Sequence, residues 1–184
     1  MAQFVAFDPH VEVIGIAILA VTEGMTQEAD IAHAVMAAHG LDPVVPDQWY
    51  SQQEWLYVLK EIAEGANNAM FNLVSIGMKI PENALFPPGI DSAIAALQSI
   101  DVAYHMNHRG GEIGNYKTTV IDDRNVDFLC ENPYPDDFDY GIIYGMARRF
   151  CPPNLIFSVY HDNEAPCRKK GANSCTYHVV FKPR

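Results

Sequence analysis

A change of local pattern near residue 100 constrains this chain more than any single motif does. Up to that point the segments read as helices, and beyond it as short strands broken by turns. The sequence therefore predicts one α+β domain over 1–184, with a helical half over 1–99 and a sheet-containing core over 100–184. The core should hold a small antiparallel sheet, a Gly-x-x-x-Gly helix and a C-terminal hairpin.

In the helical half, Asp8-Pro9 starts a helix expected to run to about Gly24, apolar nearly all round. Thr26 opens a second that ends near His39-Gly40. Ser51 and Glu54 form an S-x-x-E capping box for a third, interrupted at Gly65. A fourth ends near Gly77, and a short one from Ile90 to Ser99 closes the half. Strands are then expected over Val102–His108, Glu112–Ile121 and Asn125–Leu129, with turns at Gly110-Gly111 and Asp122-Asp123. A helix from about Phe138 to Phe150 stops at Cys151-Pro152-Pro153. Leu155–Tyr160 and Cys175–Phe181 make the last hairpin.

Charge removes some functions. The formal net charge is −11, and a surface of that sign repels phosphate, so nucleic acid is not an expected partner. The longest apolar run, Val13 to Val21, is too short to span a bilayer and lacks the flanks of a signal peptide. A cytoplasmic location is the expectation. In that reducing setting four cysteines point to metal or redox chemistry rather than a disulfide scaffold.

The sharpest local feature is Glu164-Ala-Pro-Cys167, followed after a turn by Cys175. Zinc takes four tetrahedral ligands from thiolate, imidazole and carboxylate. Glu164, Cys167 and Cys175 supply three; Cys130 is the choice for the fourth, with Cys151 and His161 as alternatives. A buried free cysteine also serves as a small hydrophobe, and a Cys167–Cys175 disulfide is a further option.

These residues carry a family resemblance. The segment Asp139-Tyr-Gly-Ile-Ile-Tyr-Gly-Met-Ala-Arg-Arg-Phe150, a strand, and Cys167-x-x-x-Gly171-x-x-x-Cys175-Thr-Tyr-His-Val-Val-Phe181 together resemble the 4-vinyl-reductase domain over the last third of the chain. The resemblance implies a fold shared with haem-type nitric-oxide-binding domains and vesicle-tethering subunits. It also implies structural zinc on Glu164, Cys167 and Cys175, with Cys130 in the upstream role. Relatives of this kind sense phenols or act in bacteriochlorophyll synthesis, and commonly dimerise.

The implied work is binding a small apolar or aromatic molecule and passing that state to a separate partner protein, as a homodimer. Trp49, Trp55, Phe71, Tyr104 and Tyr144 are the candidate lining. Gly141 and Gly145 would let a backbone or a flat ligand approach one helix face. The alternative is a haem or other tetrapyrrole protein using His105 or His108, although the Tyr-x-Ser-x-Arg motif of haem nitric-oxide sensors is absent. No G-x-G-x-x-G, P-loop or G-x-S-x-G motif occurs. A reductase acting on a vinyl tetrapyrrole is therefore the least supported reading, and no catalytic residue is assigned.

Overall fold

The computed structural model describes residues 3–65 and 69–184, with the side chains of 69–71 outside the description. The architecture is α+β, with a helical N-terminal half and antiparallel sheets. No described helix is long and apolar enough to cross a membrane.

The chain opens differently from the sequence expectation. Instead of one helix to Gly24, it forms strand β1 (Glu12–Ile14) and two short helices, α1 (Gly15–Ile18) and α2 (Ala20–Gly24). β1 lies between β2 (Trp49–Ser51) and β3 (His108–Arg109), antiparallel to both. Val11, Val13, Ile18 and Val21 are buried within the chain itself. The apolar opening segment thus packs largely inside this chain.

The next helices follow their local signals. A 3-10 turn at Thr26–Glu28 leads into α3 (Ala29–Ala38). Helix α4 (Gln52–Gly65) begins where Ser51 Oγ accepts the Glu54 N–H at 3.4 Å. Helix α5 (Ala69–Asn83) runs past Gly77 with Pro81 in its last turn. The strand expected over Val102–His108 is instead the second half of α6 (Ala93–Met106). Ser92 caps α6 through the Ala95 N–H, and Ala93, Ala96, Leu97, Ile100 and Tyr104 are buried at helical spacing.

The larger sheet is antiparallel in the order β4-β5-β7-β6, from β4 (Asn115–Val120), β5 (Asn125–Glu131), β6 (Leu155–His161) and β7 (Cys175–Pro183). Phe128, Cys130, Cys175, Tyr177, Val179 and Phe181 alternate to its buried face. Helix α7 (Asp136–Phe150) packs tightly on α5. A methyl on Gly77 would lie 2.2 Å from the Phe138 carbonyl, and one on Gly141 2.3 Å from that of Val74. The Gly-x-x-x-Gly face therefore serves helix–helix contact, and it sets the start of α7 against the end of the sheet.

Candidate metal centre

The cysteine-bearing turn, the end of β6 and the first residue of α7 converge on one buried spot. Asp136 begins α7 behind Pro135, where the helix dipole favours a carboxylate. His161 ends β6, opposite Tyr177 in the β6–β7 register. Cys167 precedes a 3-10 turn over Arg168–Lys170, and Cys175 opens β7. One ligand atom from each of Asp136, His161, Cys167 and Cys175 lies within 4.8 Å of all the others.

The hydrogen bonds define how that cluster rests. Cys175 donates to Asp136 Oδ1 at 2.9 Å and Cys167 to Oδ2 at 3.1 Å. Gln3 also donates to Oδ1. Nε2 of His161 is buried and has no hydrogen-bond partner among the described residues. An orphaned imidazole nitrogen beside two thiols and a carboxylate is a donor set that suits a tetrahedral divalent cation. Burial pushes the Cys175 thiol up to about 12, with the Asp136 contact adding to the shift and Arg168 opposing it.

A second buried layer supports the first. Arg168, 3% exposed, sends Nε to Cys175 Sγ at 3.2 Å and Nη1 to the Asn132 carbonyl and Oδ1 at 2.5 Å each. Its Nη2 meets Asp139 and lies 3.4 Å from Asp136 Oδ1. Tyr116 at 2.5 Å and Asn132 at 3.2 Å also donate to Asp139. Burial raises the Asp139 carboxyl, while these donors favour its ionised form.

Of the sequence candidates, the structure brings Cys167 and Cys175 together and adds His161, one of the two alternatives. Cys130 faces Cys175 across the β5–β7 pair, buried, but is not among the four clustered donors. Glu164 is exposed and also outside the cluster. Cys151 sits apart at the end of α7, against the Pro152 and Leu155 carbonyls. All four cysteines are free thiols. Asp136 was missed because it stands in an acidic run that reads as a helix cap.

The four aromatic candidates whose side chains are described, Trp49, Trp55, Tyr104 and Tyr144, do not form one site. Trp55 and Tyr104 share a buried cluster with Phe138 and Tyr134: the Trp55–Phe138, Phe138–Tyr134 and Tyr134–Tyr104 centroids are 6.4, 5.1 and 6.1 Å apart. Trp49 lies under the Arg109 guanidinium on β2. Tyr144 stacks with Tyr140 and leans on Phe157. The side chain of Phe71 lies outside the described residues. A surface hollow of about 490 Å³ between α2 and α5, lined by Gly24, Met25, Glu28 and Ser75 among others, includes none of Trp49, Trp55, Tyr104 and Tyr144.

The buried aromatic cluster has a polar seam. His108 Nδ1 donates to the Tyr104 carbonyl at 2.8 Å, so its Nε2 accepts the Tyr134 hydroxyl at 2.6 Å. Burial lowers the His108 pKa to about 4, which fits that neutral tautomer. Gln52 Nε2 reaches the Tyr134 oxygen at 3.5 Å, while Gln52 Oε1 is buried without a partner among the described residues. His105, expected on a strand, is an exposed helix residue bonded to the Asp101 carbonyl.

Comparison with known proteins places the fold. No protein-family model and no curated protein sequence matches the chain. Solved structures do. An H-NOX protein from S. oneidensis in the Fe(II) ligation state is 13% identical, with TM-score 0.66, covering 92% of this chain and 96% of its own. A structure from work on haem distortion in the H-NOX family is 14% identical, with TM-score 0.65, covering 92% and 94%. An oxygen-binding H-NOX domain related to soluble guanylate cyclases is 14% identical, with TM-score 0.65, covering 92% and 93%. The chain thus has the fold of H-NOX domains, the fold that the sequence resemblance implied.

Proposed function

We propose that this chain is a ligand-sensing domain on the H-NOX fold, its C-terminal hairpin pinned to the start of α7 by a structural zinc ion. The observation that carries the metal is the convergence of Asp136, His161, Cys167 and Cys175 with the orphaned His161 Nε2. Two sulfurs, one imidazole and one carboxylate favour zinc over magnesium or calcium. A four-protein-ligand site is closed, so its role is structural. The sensed molecule on this reading is small, apolar or aromatic, and bears a hydrogen-bond donor. It would enter the Trp55–Tyr104–Tyr134 cluster and answer Gln52 Oε1. A separate partner would read the resulting movement.

A second reading has its own support: a haem or tetrapyrrole gas sensor or carrier, favoured by the fold neighbours, whose described chemistry includes Fe(II) and haem. Outside the cysteine cluster, the histidines as arranged leave haem no ready axial ligand. His10, His33 and His105 are exposed, His39 and His178 each bridge two carboxylates, and His161 lies in the cysteine cluster. His108, partly buried, has both nitrogens engaged and would have to exchange the Tyr134 hydroxyl for iron.

Metal analysis and an absorption spectrum of protein purified without added metal or haem test both readings. About one zinc per chain without a Soret band supports the zinc-pinned sensor. A Soret band that His108→Ala shifts or abolishes selects the tetrapyrrole reading. Titration with phenol, followed by the fluorescence of Trp49 and Trp55, tests the apolar-ligand site, and no response to it or to simple aromatic amines would remove that assignment.

A further inference from the structure

Arg168 is almost wholly buried, yet it sits between the two cysteines in a chain segment that otherwise reads as a solvated basic turn. Its neighbours Lys169 and Lys170 behave as that reading expects: Lys169 is half exposed and pairs with Asp137, and Lys170 is exposed. Arg168 turns inward and holds Cys175 Sγ from two directions, with its backbone N–H at 3.3 Å and its Nε–H at 3.2 Å. The rest of its guanidinium is fixed by Asn132 and Asp139, so the fork has little freedom to leave the sulfur.

We infer that Arg168 is the positioning residue of the metal centre: it orients Cys175 Sγ toward Asp136, His161 and Cys167 and tempers the charge that this sulfur presents to the metal. The inference rests on the zinc reading above. Three of the four donors are anionic when a metal is bound, and a buried cation beside them reduces their mutual repulsion. Two N–H donors on one thiolate also withdraw electron density from it. Lysine would keep the charge but lose the planar fork that serves sulfur, Asn132 and Asp139 together. The carboxylate of Asp139 is a support for Arg168, since it lies in the second layer and not among the four clustered donors.

The test replaces zinc with cobalt(II) in the full chain and reads the sulfur-to-cobalt charge-transfer band along with affinity in competition with a chelator. Arg168→Met should weaken the metal by about 10–100-fold, the usual cost of losing a supporting partner. It should also move the band to lower energy, because the thiolate loses the Nε–H donor and the positive charge beside it while keeping only the backbone N–H. Arg168→Lys should recover part of the affinity and little of the band position. Asp139→Asn, which loosens the guanidinium without removing its Nε–H, should leave the band near the wild-type energy. A wild-type chain that binds no cobalt or zinc overturns the metal reading and this inference with it. A wild type that binds one ion, with Arg168→Met or Arg168→Lys unchanged in band and affinity, overturns the inference alone. If Asp139→Asn shifts the band as much as Arg168→Met, Arg168 is only a scaffold and the positioning role is wrong.

Discussion

The thiol of Cys175 meets the carboxylate of Asp136 at 2.9 Å, although 39 positions separate them. Cys167 uses the other oxygen of the same carboxylate. This geometry separates two possible ligand sets. If Asp136 and His161 complete the site, Asp136→Ala, His161→Ala, Cys167→Ser and Cys175→Ser should each lower bound zinc from about one per chain to a small fraction. Cys130→Ala and Glu164→Gln should leave it unchanged. Metal analysis after gel filtration decides between them: loss of zinc in Glu164→Gln with retention in Asp136→Ala would restore the set that the sequence resemblance implied.

Cys167 and Cys175 are thiols that donate to Asp136, and each must lose its proton to bind zinc as a thiolate. Zinc uptake should therefore release about two protons per ion. It should also raise the unfolding temperature as free zinc increases, with about 2.7 kcal/mol of stabilisation at one hundred times the dissociation constant. A pH-indicator titration and a melting series in zinc buffers measure the two effects. Uptake without proton release would mean that the thiols are not the ligands.

How much of this was legible in the sequence depended on whether the deciding contacts were local. The Ser51 cap on the Glu54 N–H and the Asp122-Asp123 turn were readable because their partners lie within three residues, whereas the Glu54 carboxylate that a full capping box would use pairs with His39. Strand β1 was not readable: three residues long, it exists only because β2 and β3 arrive beside it from far along the chain. The second half of α6 misled for the opposite reason. Val102, Tyr104 and Met106 alternate like a strand, but α6 buries Tyr104 and leaves Val102 and Met106 exposed. At the site, Cys167 and Cys175 were legible because one turn carries both. His161 and Asp136 join them through the β6–β7 register and the placement of α7, which no local pattern encodes.

Gly141 offers a test of the packing that holds α7 in place. A methyl there would lie 2.3 Å from the Val74 carbonyl and 3.0 Å from the Gly77 Cα, both backbone atoms without rotamers to yield. Gly141→Ala should destabilise the chain by about 1–3 kcal/mol or more through overpacking. At roughly 2–4 °C per kcal/mol for a chain of this size, the loss is visible in a melting curve. Gly171→Ala separates this cause from loss of glycine as such. Gly171 has open space around it and a φ of +85°, so its cost should come from backbone strain alone. If Gly141→Ala melts with the wild type, the α5–α7 contact is looser than described.

His108 gives the fold a defined acid sensitivity. Its pKa falls from the ordinary 6.5 to about 4, first through burial, with His105 adding to the shift and the Tyr104 carbonyl opposing it. Between those values the unfolded chain binds a proton that the folded chain excludes, so stability declines as pH falls from about 6.5 toward about 4 and flattens below. The shift corresponds to roughly 3 kcal/mol across the window. His108→Gln keeps an acceptor for Tyr134 and removes the titration. Urea unfolding of metal-free protein at several pH values should show the wild type losing stability faster than the variant between neutral pH and the lower pKa. Parallel pH profiles would mean that the folded protein protonates His108 freely. The Tyr134–His108 hydrogen bond would then not be the closed seam that leaves Gln52 Oε1 unanswered among the described residues of this aromatic cluster.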